Sequence, residues 1–80
     1  MEDTAVTVDL VVDACGTKCP MPILKAKKAL SNMASGELLK VLTTDPGAVG
    51  DFKFFGQQTG NVVINQTEKN GIYAIIIKRK

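Results

Sequence analysis

The sequence predicts an α/β fold of the α+β type, a two-layer sandwich in which two helices cover one face of a four-stranded sheet. Apolar residues recur every second position in the strand segments and at helical spacing between them, which gives the order β-α-β-α-β-β. A strand-helix-strand unit closes right-handed with parallel strands, so both helices fall on the same face. The 80 residues have room for one domain, residues 1–80, in which residues 1–5 are expected to form a flexible N-terminus.

The first strand and the first helix follow from two different spacings. Apolar side chains stand at every second position in residues 6–13, which is typical of a strand with one buried face. Gly16 interrupts this pattern, and residues 23–33 then carry an apolar stripe at helical spacing. The stripe consists of Ile23, Ala26, Leu30 and Met33.

A second strand and a weaker second helix follow. Residues 37–43 are predicted to be a strand with Leu39 and Val41 on one face. Asp45 followed by Pro46 is a helix start signal, so Asp45 is predicted to cap a helix over residues 46–58. Glycines weaken this helix, which must therefore be held by packing of its apolar side chains. These are Val49, Phe52 and either Phe55 or Phe54.

The last two strands are predicted over residues 61–68 and 72–79. Asn70-Gly71 between them is the strongest short signal for a β-hairpin. On the sheet face opposite the helices we expect apolar side chains among polar ones, and an exposed apolar patch often binds a partner. The expected residues are Val11, Leu38 or Leu42, Val63 and Ile76.

Composition limits the chemistry that the chain can perform. The net charge is +2, and there is no His and no Trp. Serine-histidine triads, histidine-ligated zinc and haem are therefore excluded, and two thiolates do not complete a tetrahedral metal site. We expect no metal and no other cofactor. With no long apolar run and no signal-peptide pattern, we expect a cytoplasmic protein without a membrane partner, whose cysteines are reduced thiols.

Cys19 is the candidate reactive residue because it stands directly before the first helix. The free amides of a first helical turn and the positive end of the helix dipole stabilise a thiolate. Pro20 and Pro22 have no amide hydrogen, which leaves the amides of Met21 and Ile23 as donors to the sulfur. The alternative is that Cys19 is a small apolar residue that fills the core beneath the helix start.

Three lysines are candidates for an accessory role around this thiol. Lys18 precedes it, and Lys25 and Lys28 lie one and two turns inside the predicted helix. They are expected to favour the thiolate or to dock an acidic partner. The alternative is that they belong to a solvated helix face.

Cys15 and Asp45 are the other accessory candidates. Cys15 is either a small, partly buried hydrophobe or a resolving thiol for Cys19, which a glycine-containing turn would let it meet. Asp45 is expected at the same sheet edge as Cys19, because both helices begin where parallel strands end. There it caps the second helix or, alternatively, takes part in transfer chemistry at the thiol.

The motif around Cys19 resembles that of the sulfur-carrier family named for TusA and SirA. Residues 13–22 read Asp-x-x-Gly-x-x-Cys-Pro-x-Pro, and the segments 27–30, 35–37 and 44–46 add to the likeness. The resemblance extends from about Val8 to Lys80. It implies a mixed sheet with the strand order 1-2-4-3. One departure is Cys15, at a position where the family usually has a plain hydrophobe such as Leu, and this second thiol would allow an intramolecular disulfide with Cys19.

The resemblance also implies a function. Cys19 would accept a sulfane sulfur as a persulfide and pass it to a partner cysteine, as a sulfurtransferase-type carrier. The implied donor is a cysteine desulfurase or a rhodanese. The implied acceptors are DsrE-type relay proteins that serve tRNA 2-thiouridine synthesis, sulfur oxidation or cofactor assembly. Docking of such partners is expected near Cys19, through Lys18, Met21 and the lysines of the first helix.

Two functions of other classes are weighed against a carrier. The lysines prompt a nucleic-acid-binding or regulatory module, but their charges are spread and lack interleaved aromatic residues, so direct nucleic-acid binding is not expected. A thiol redox protein would use Cys15 and Cys19, but their Cys-x3-Cys spacing is not the Cys-x-x-Cys of thioredoxin-like proteins. We expect a monomer or a weak dimer.

Overall fold

The computed structural model describes residues 8–17 and 21–80 and has the element order that the sequence predicts. The elements are β1 (Leu10–Asp13), α1 (Met21–Ser31), β2 (Leu38–Thr43), α2 (Ala48–Thr59), β3 (Val62–Lys69) and β4 (Ile72–Lys78). The sheet has the strand order β1-β2-β4-β3. β1 runs parallel to β2, whereas β4 is antiparallel to both of its neighbours, so the mixed sheet is confirmed.

The core lies between the two helices and one face of the sheet. On the central strands, alternate side chains are fully buried, as the period of two predicts. These are Leu39 and Val41 on β2 and Ile75 and Ile77 on β4. From above the sheet, α1 adds Ala26 and Leu30, and α2 adds Phe52 and Phe55. The centroids of the two phenylalanine rings are 6.1 Å apart in an edge-to-face arrangement.

The bounds of β1 and α1 differ from the prediction. β1 begins at Leu10, later than the predicted residue 6, and residues 6 and 7 lie outside the described part of the chain, as do residues 1–5. α1 begins at Met21 and ends at Ser31, so Met33 packs against the core from the loop that follows the helix. The apolar stripe predicted the burial of Ala26 and Leu30 correctly, although the helix ends two residues before residue 33.

The start of α2 corrects the prediction for Asp45. The N-cap is Gly47 and makes no side-chain capping bond, and the helix begins at Ala48. The Asp45 carboxylate instead accepts a hydrogen bond from the backbone N–H of Gly47 at 3.0 Å, in the turn before the helix. Asp45 therefore satisfies a backbone donor, as a cap would, but it lies two residues before the N-cap position.

The β3–β4 hairpin has the predicted turn. Asn70 and Gly71 both have positive φ angles, 53° and 81°. Two consecutive left-handed residues form the tight turn whose twist matches that of the flanking strands. Asn and Gly adopt this conformation at low cost, so the pair fixes the register of the last two strands.

On the open face of the sheet the prediction is wrong for Val63, whereas Ile76 lies there as predicted but is buried. Val63 pairs with Ile77 and packs against the core, on the helix side. The reason is a register shift between Val63 and Asn65, where one extra residue in β3 turns the positions before and after it to opposite faces. Ile76 does pair with Lys40 and Asn65 on the open face, but it is only 3% exposed. Val11 is 52% exposed, as expected for that face.

Candidate functional site

The candidate site lies at the sheet edge where β1 and β2 end and α1 and α2 begin. Because β1 and β2 are parallel, their carboxyl ends meet at the same edge, which is the usual ligand edge of such folds. The predicted nucleophile Cys19, together with Lys18 and Pro20, lies outside the described residues. Its predicted contacts stay predictions, and the residues on both sides of it define the surroundings.

The first turn of α1 is anchored in the core directly after this segment. Pro22 is fully buried, on the same helix face as Ala26 and Leu30, and Ile23 is partly buried against the core. Pro22 therefore packs in the core, in addition to lacking an amide hydrogen as the sequence indicated. Met21 is 42% exposed. No acidic side chain lies in this turn, so its positive end has no carboxylate of its own.

The connection after β1 is held by hydrogen bonds on the other side of the segment. Ala14 is fully buried, and its N–H donates to the Leu42 carbonyl at 2.7 Å, which continues the β1–β2 ladder. The Thr17 hydroxyl donates to the Ala14 carbonyl at 2.6 Å. Gly16 has a φ of 81°, a conformation that strains most residues with a side chain. Residues 14–17 therefore form a defined turn.

Cys15 is a free thiol of intermediate exposure within this turn. Its backbone N–H donates to the Asp13 carboxylate at 3.0 Å. Partial burial raises the pKa of the Cys15 thiol, and a side-chain hydrogen bond and the negative charge of Asp13 raise it further. At neutral pH Cys15 is thus protonated and a poor nucleophile, which argues against the resolving-thiol alternative.

Asp13 is a residue of the motif to which sequence reasoning gave no role. The backbone N–H of Cys15 holds the pKa of the Asp13 carboxyl below its usual value, and the side chain of Cys15 and the charge of Lys25 act in the same direction. Lys25 is therefore near enough to Asp13 for its charge to lower the pKa of that carboxyl. Lys28 lies in the last turn of α1, about 10 Å along the axis from Met21 at 1.5 Å per residue.

The connection after β2 supplies three more side-chain oxygens. The buried Thr43 hydroxyl accepts the N–H of Asp45 at 3.1 Å, and Asp45 in turn accepts that of Gly47. The Thr44 hydroxyl accepts the N–H of Gly16 at 3.0 Å, so it joins the two connections across the sheet edge. Sequence reasoning missed Thr44. Two hydroxyl residues between a strand and an Asp-Pro pair were the available signal, because such residues bond to backbone in turns.

Two depressions in the described surface are candidates for contacts with partners. One, of about 460 Å³, lies between α1 and α2 and is lined mainly by Ile23, Leu24, Phe54 and Phe55, with Lys27 and Asp51 at its polar part. We call it the interhelix groove. The other, of about 480 Å³, lies beside the β3–β4 turn and includes Leu42, Ile72 and Ala74.

In residues 8–17 and 21–80, which the structure describes, no group of three or more His, Cys, Asp or Glu side chains is placed to hold a metal ion. Neither helix there has the length and apolar character needed to cross a membrane.

Comparison with known proteins gives relatives along almost the whole chain. Residues 10–79 match the family described as Sulfurtransferase TusA. The chain is 48% identical over 71 residues to the sulfur carrier protein TusA of Allochromatium vinosum, covering 89% of this chain and 93% of that one. It is 36% identical over 77 residues to the sulfur carrier protein TusA of Pseudomonas putida, with 96% of each chain covered.

A solved structure shares the fold. The SirA-like protein of Desulfitobacterium hafniense superimposes with a TM-score of 0.79 at 28% sequence identity, over 88% of this chain and 96% of the other. The matched residues 10–79 contain the motif at residues 13–22 and both connections of the sheet edge. On these grounds the chain belongs to the TusA sulfurtransferase family.

Proposed function

We propose that this chain is a sulfur carrier that receives a sulfane sulfur on Cys19 as a persulfide and passes it to a partner cysteine. The observation that carries the proposal is the anchored first turn of α1, which begins two residues after Cys19 and has no acidic side chain. It stands within a chain whose relatives are named sulfur carrier proteins. The positive end of α1 is therefore free to stabilise a thiolate or a persulfide anion.

The transfer is an exchange of one sulfur-sulfur bond for another. The Cys19 thiolate attacks the outer sulfur of a donor persulfide, the donor's sulfur-sulfur bond breaks, and the donor cysteine leaves as a thiolate. One such bond forms on Cys19 for each that breaks, so no oxidant or reductant is needed. Transfer to the acceptor repeats the step with Cys19 as the leaving thiolate. The amides of Met21 and Ile23 support the anion in both steps.

The donor that we propose is a cysteine desulfurase or a rhodanese, and the acceptor is a DsrE-type relay protein, in the cytoplasm, where Cys19 stays reduced. We propose that the donor docks on the interhelix groove with an acidic, partly apolar surface. Leu24 is half exposed and Phe54 is 63% exposed, and both line the groove just beyond the first turn of α1. Lys27 at the groove and exposed Lys28 along α1 add positive charge.

Binding to a cysteine desulfurase tests this docking surface. Phe54→Ser should weaken binding about tenfold, since exposed aromatic side chains are frequent anchors of interfaces. Ile72→Ser, which removes an exposed side chain on the open face beside the β3–β4 turn, is the matched control and should bind like the original chain. Equal weakening by both variants, or weakening by the control alone, contradicts docking at the groove.

Mass spectrometry after incubation with a cysteine desulfurase and cysteine tests the carrier function itself. Trypsin cleaves after Lys18, so Cys15 and Cys19 fall on different peptides, residues 1–18 and 19–25. We expect one added sulfur atom on the second peptide. Cys15→Ser should load in the same way, whereas Cys19→Ser should fold normally and stay unloaded, since the exchange of sulfur for oxygen is nearly isosteric.

Other outcomes point to the other function classes. Loss of two hydrogens with the two peptides joined indicates a Cys15–Cys19 disulfide and a redox function. Sulfur on the peptide with Cys15 makes the motif assignment wrong. An unchanged mass on both peptides contradicts the carrier function and leaves a binding module.

A further inference from the structure

We infer that Thr44 is a positioning residue for the sulfur-transfer thiol, an inference that rests on the proposed function of Cys19. Its hydroxyl accepts the backbone N–H of Gly16 at 3.0 Å, across 28 positions of sequence. Gly16 is three residues before Cys19, in the same connection. The bond therefore joins the β1–α1 connection, which contains Cys19, to the residue that follows β2.

The other hydrogen bonds of this connection act differently. Those from Cys15 to Asp13 and from Thr17 to Ala14 close turns within the connection and leave its place relative to β2 undetermined. The bond from Ala14 to Leu42 ties only the first residue after β1. Thr44 extends the tie two residues further along the chain, to Gly16, whose left-handed φ of 81° shapes the turn after β1.

The beginning of α1 is already fixed by the burial of Pro22. With Gly16 tied by Thr44, both flanks of residues 17–21 are held, and five residues separate the two anchors. A short segment with fixed ends has few conformations, and this restriction favours the ones in which the sulfur meets the amides of Met21 and Ile23. Without the Thr44 hydroxyl, one anchor is loosened while the core stays intact.

The hydroxyl is at the surface, so its removal should not unfold the chain. Thr44→Val removes the acceptor and keeps the β-branched shape, and Thr44→Ser keeps the hydroxyl. Thr67→Val is the matched control, because it makes the same change at an exposed position of β3. Each variant is compared by the rate of Cys19 alkylation with iodoacetamide as a function of pH, on protein whose circular dichroism is that of the original.

In Thr44→Val we expect alkylation of Cys19 at pH 7 to slow by about fivefold, the factor that corresponds to one lost hydrogen bond. Its pH midpoint should move upward, because a thiolate that meets the helix amides less often is less stabilised. Thr44→Ser and Thr67→Val should keep the original profile. In parallel, hydrogen exchange of the Gly16 amide should accelerate in Thr44→Val, whereas that of the Ala14 amide should not change.

An unshifted profile in Thr44→Val, or a shift in Thr44→Ser equal to that in Thr44→Val, overturns the inference. If Thr44→Val does not fold, Thr44→Ala is judged by the same criteria. Failure of the proposed function gives a different result. In that case the original chain acquires no sulfur from a desulfurase, while the alkylation profiles and the Gly16 exchange still decide the role of Thr44.

Discussion

The connections after β1 and β2 contain the same kind of side-chain-to-backbone hydrogen bond, at the same edge of the sheet. In each, a side-chain oxygen accepts the N–H two residues further along: Asp13 from Cys15 in the first, and Thr43 from Asp45 and Asp45 from Gly47 in the second. The helices that follow differ. α1 has no acidic residue in its first turn, whereas α2 has Asp51 there.

This difference shows how one local structure serves two purposes. In the β2–α2 connection, Asp45 and Asp51 lie near the positive end of α2, so these carboxylates and their hydrogen bonds stabilise the structure. The first turn of α1, by contrast, contains no acidic residue, and the sequence places a thiol two residues before Met21. The function therefore depends on which side chains are added to a shared backbone geometry.

The largest expected effect contrasts the two thiols of the first connection. Cys19 should react with iodoacetamide at pH 7 at least about tenfold faster than Cys15, since a helix N-terminus lowers a thiol pKa. The surroundings of Cys15 instead raise its pKa. Tryptic peptides 1–18 and 19–25 separate the two labels. Earlier labelling of the first peptide would contradict the assignment of Cys19.

The second prediction concerns the structural role of Asp45. Asp45→Ala should lower the free energy of unfolding by about 1 kcal/mol, because the Gly47 N–H loses its acceptor. Asp51→Ala, within the first turn of α2, should cost about 0.5 kcal/mol through the helix dipole alone. Urea denaturation measures both. An Asp45→Ala variant of normal stability that fails in sulfur transfer would instead assign Asp45 to the chemistry.

The third prediction separates the charge of Asp13 from its hydrogen bonds. Asp13→Asn keeps an acceptor for the Cys15 N–H but removes the negative charge that raises the pKa of the Cys15 thiol. The thiolate fraction at neutral pH should rise, and alkylation of Cys15 should accelerate about threefold. Asp9→Asn, whose carboxylate accepts the Leu38 N–H beside the opposite end of β1, is the control. Equal acceleration in both variants would show that net charge alone is responsible.

The smallest expected effect is a loss of stability in acid. The folded chain holds the pKa of Asp13 below the ordinary value of 3.8, so the carboxylate stabilises the folded state at pH values above 3.8. This contribution should disappear as the pH falls below 3.8 and through the lowered pKa. Asp13→Asn should remove this part of the pH dependence in thermal melts. Identical acid dependence in the two proteins would show that Asp13 gains nothing from its bond to Cys15.

Several features were predictable because they depend on neighbouring residues. Asn70-Gly71 determines its turn through two positive φ angles, and the stripe on α1 identifies Ala26 and Leu30 as buried. Phe52 on α2 was placed correctly for the same reason. The choice between Phe54 and Phe55 was left open, since the neighbouring positions lie at the boundary of the apolar face. Burial in the core decides for Phe55, which is 8% exposed, whereas Phe54 is 63% exposed.

The sequence by itself determined the order of the elements, the family motif and the position of the thiol before α1, because local propensity and spacing suffice for these. The tertiary structure decided what depends on residues distant along the chain. The register shift beside Val63 turned that side chain into the core, although alternation alone placed it outside. The bond between Gly16 and Thr44 exists only because β1 and β2 pair in parallel, which brings the ends of two strands together from 28 positions apart.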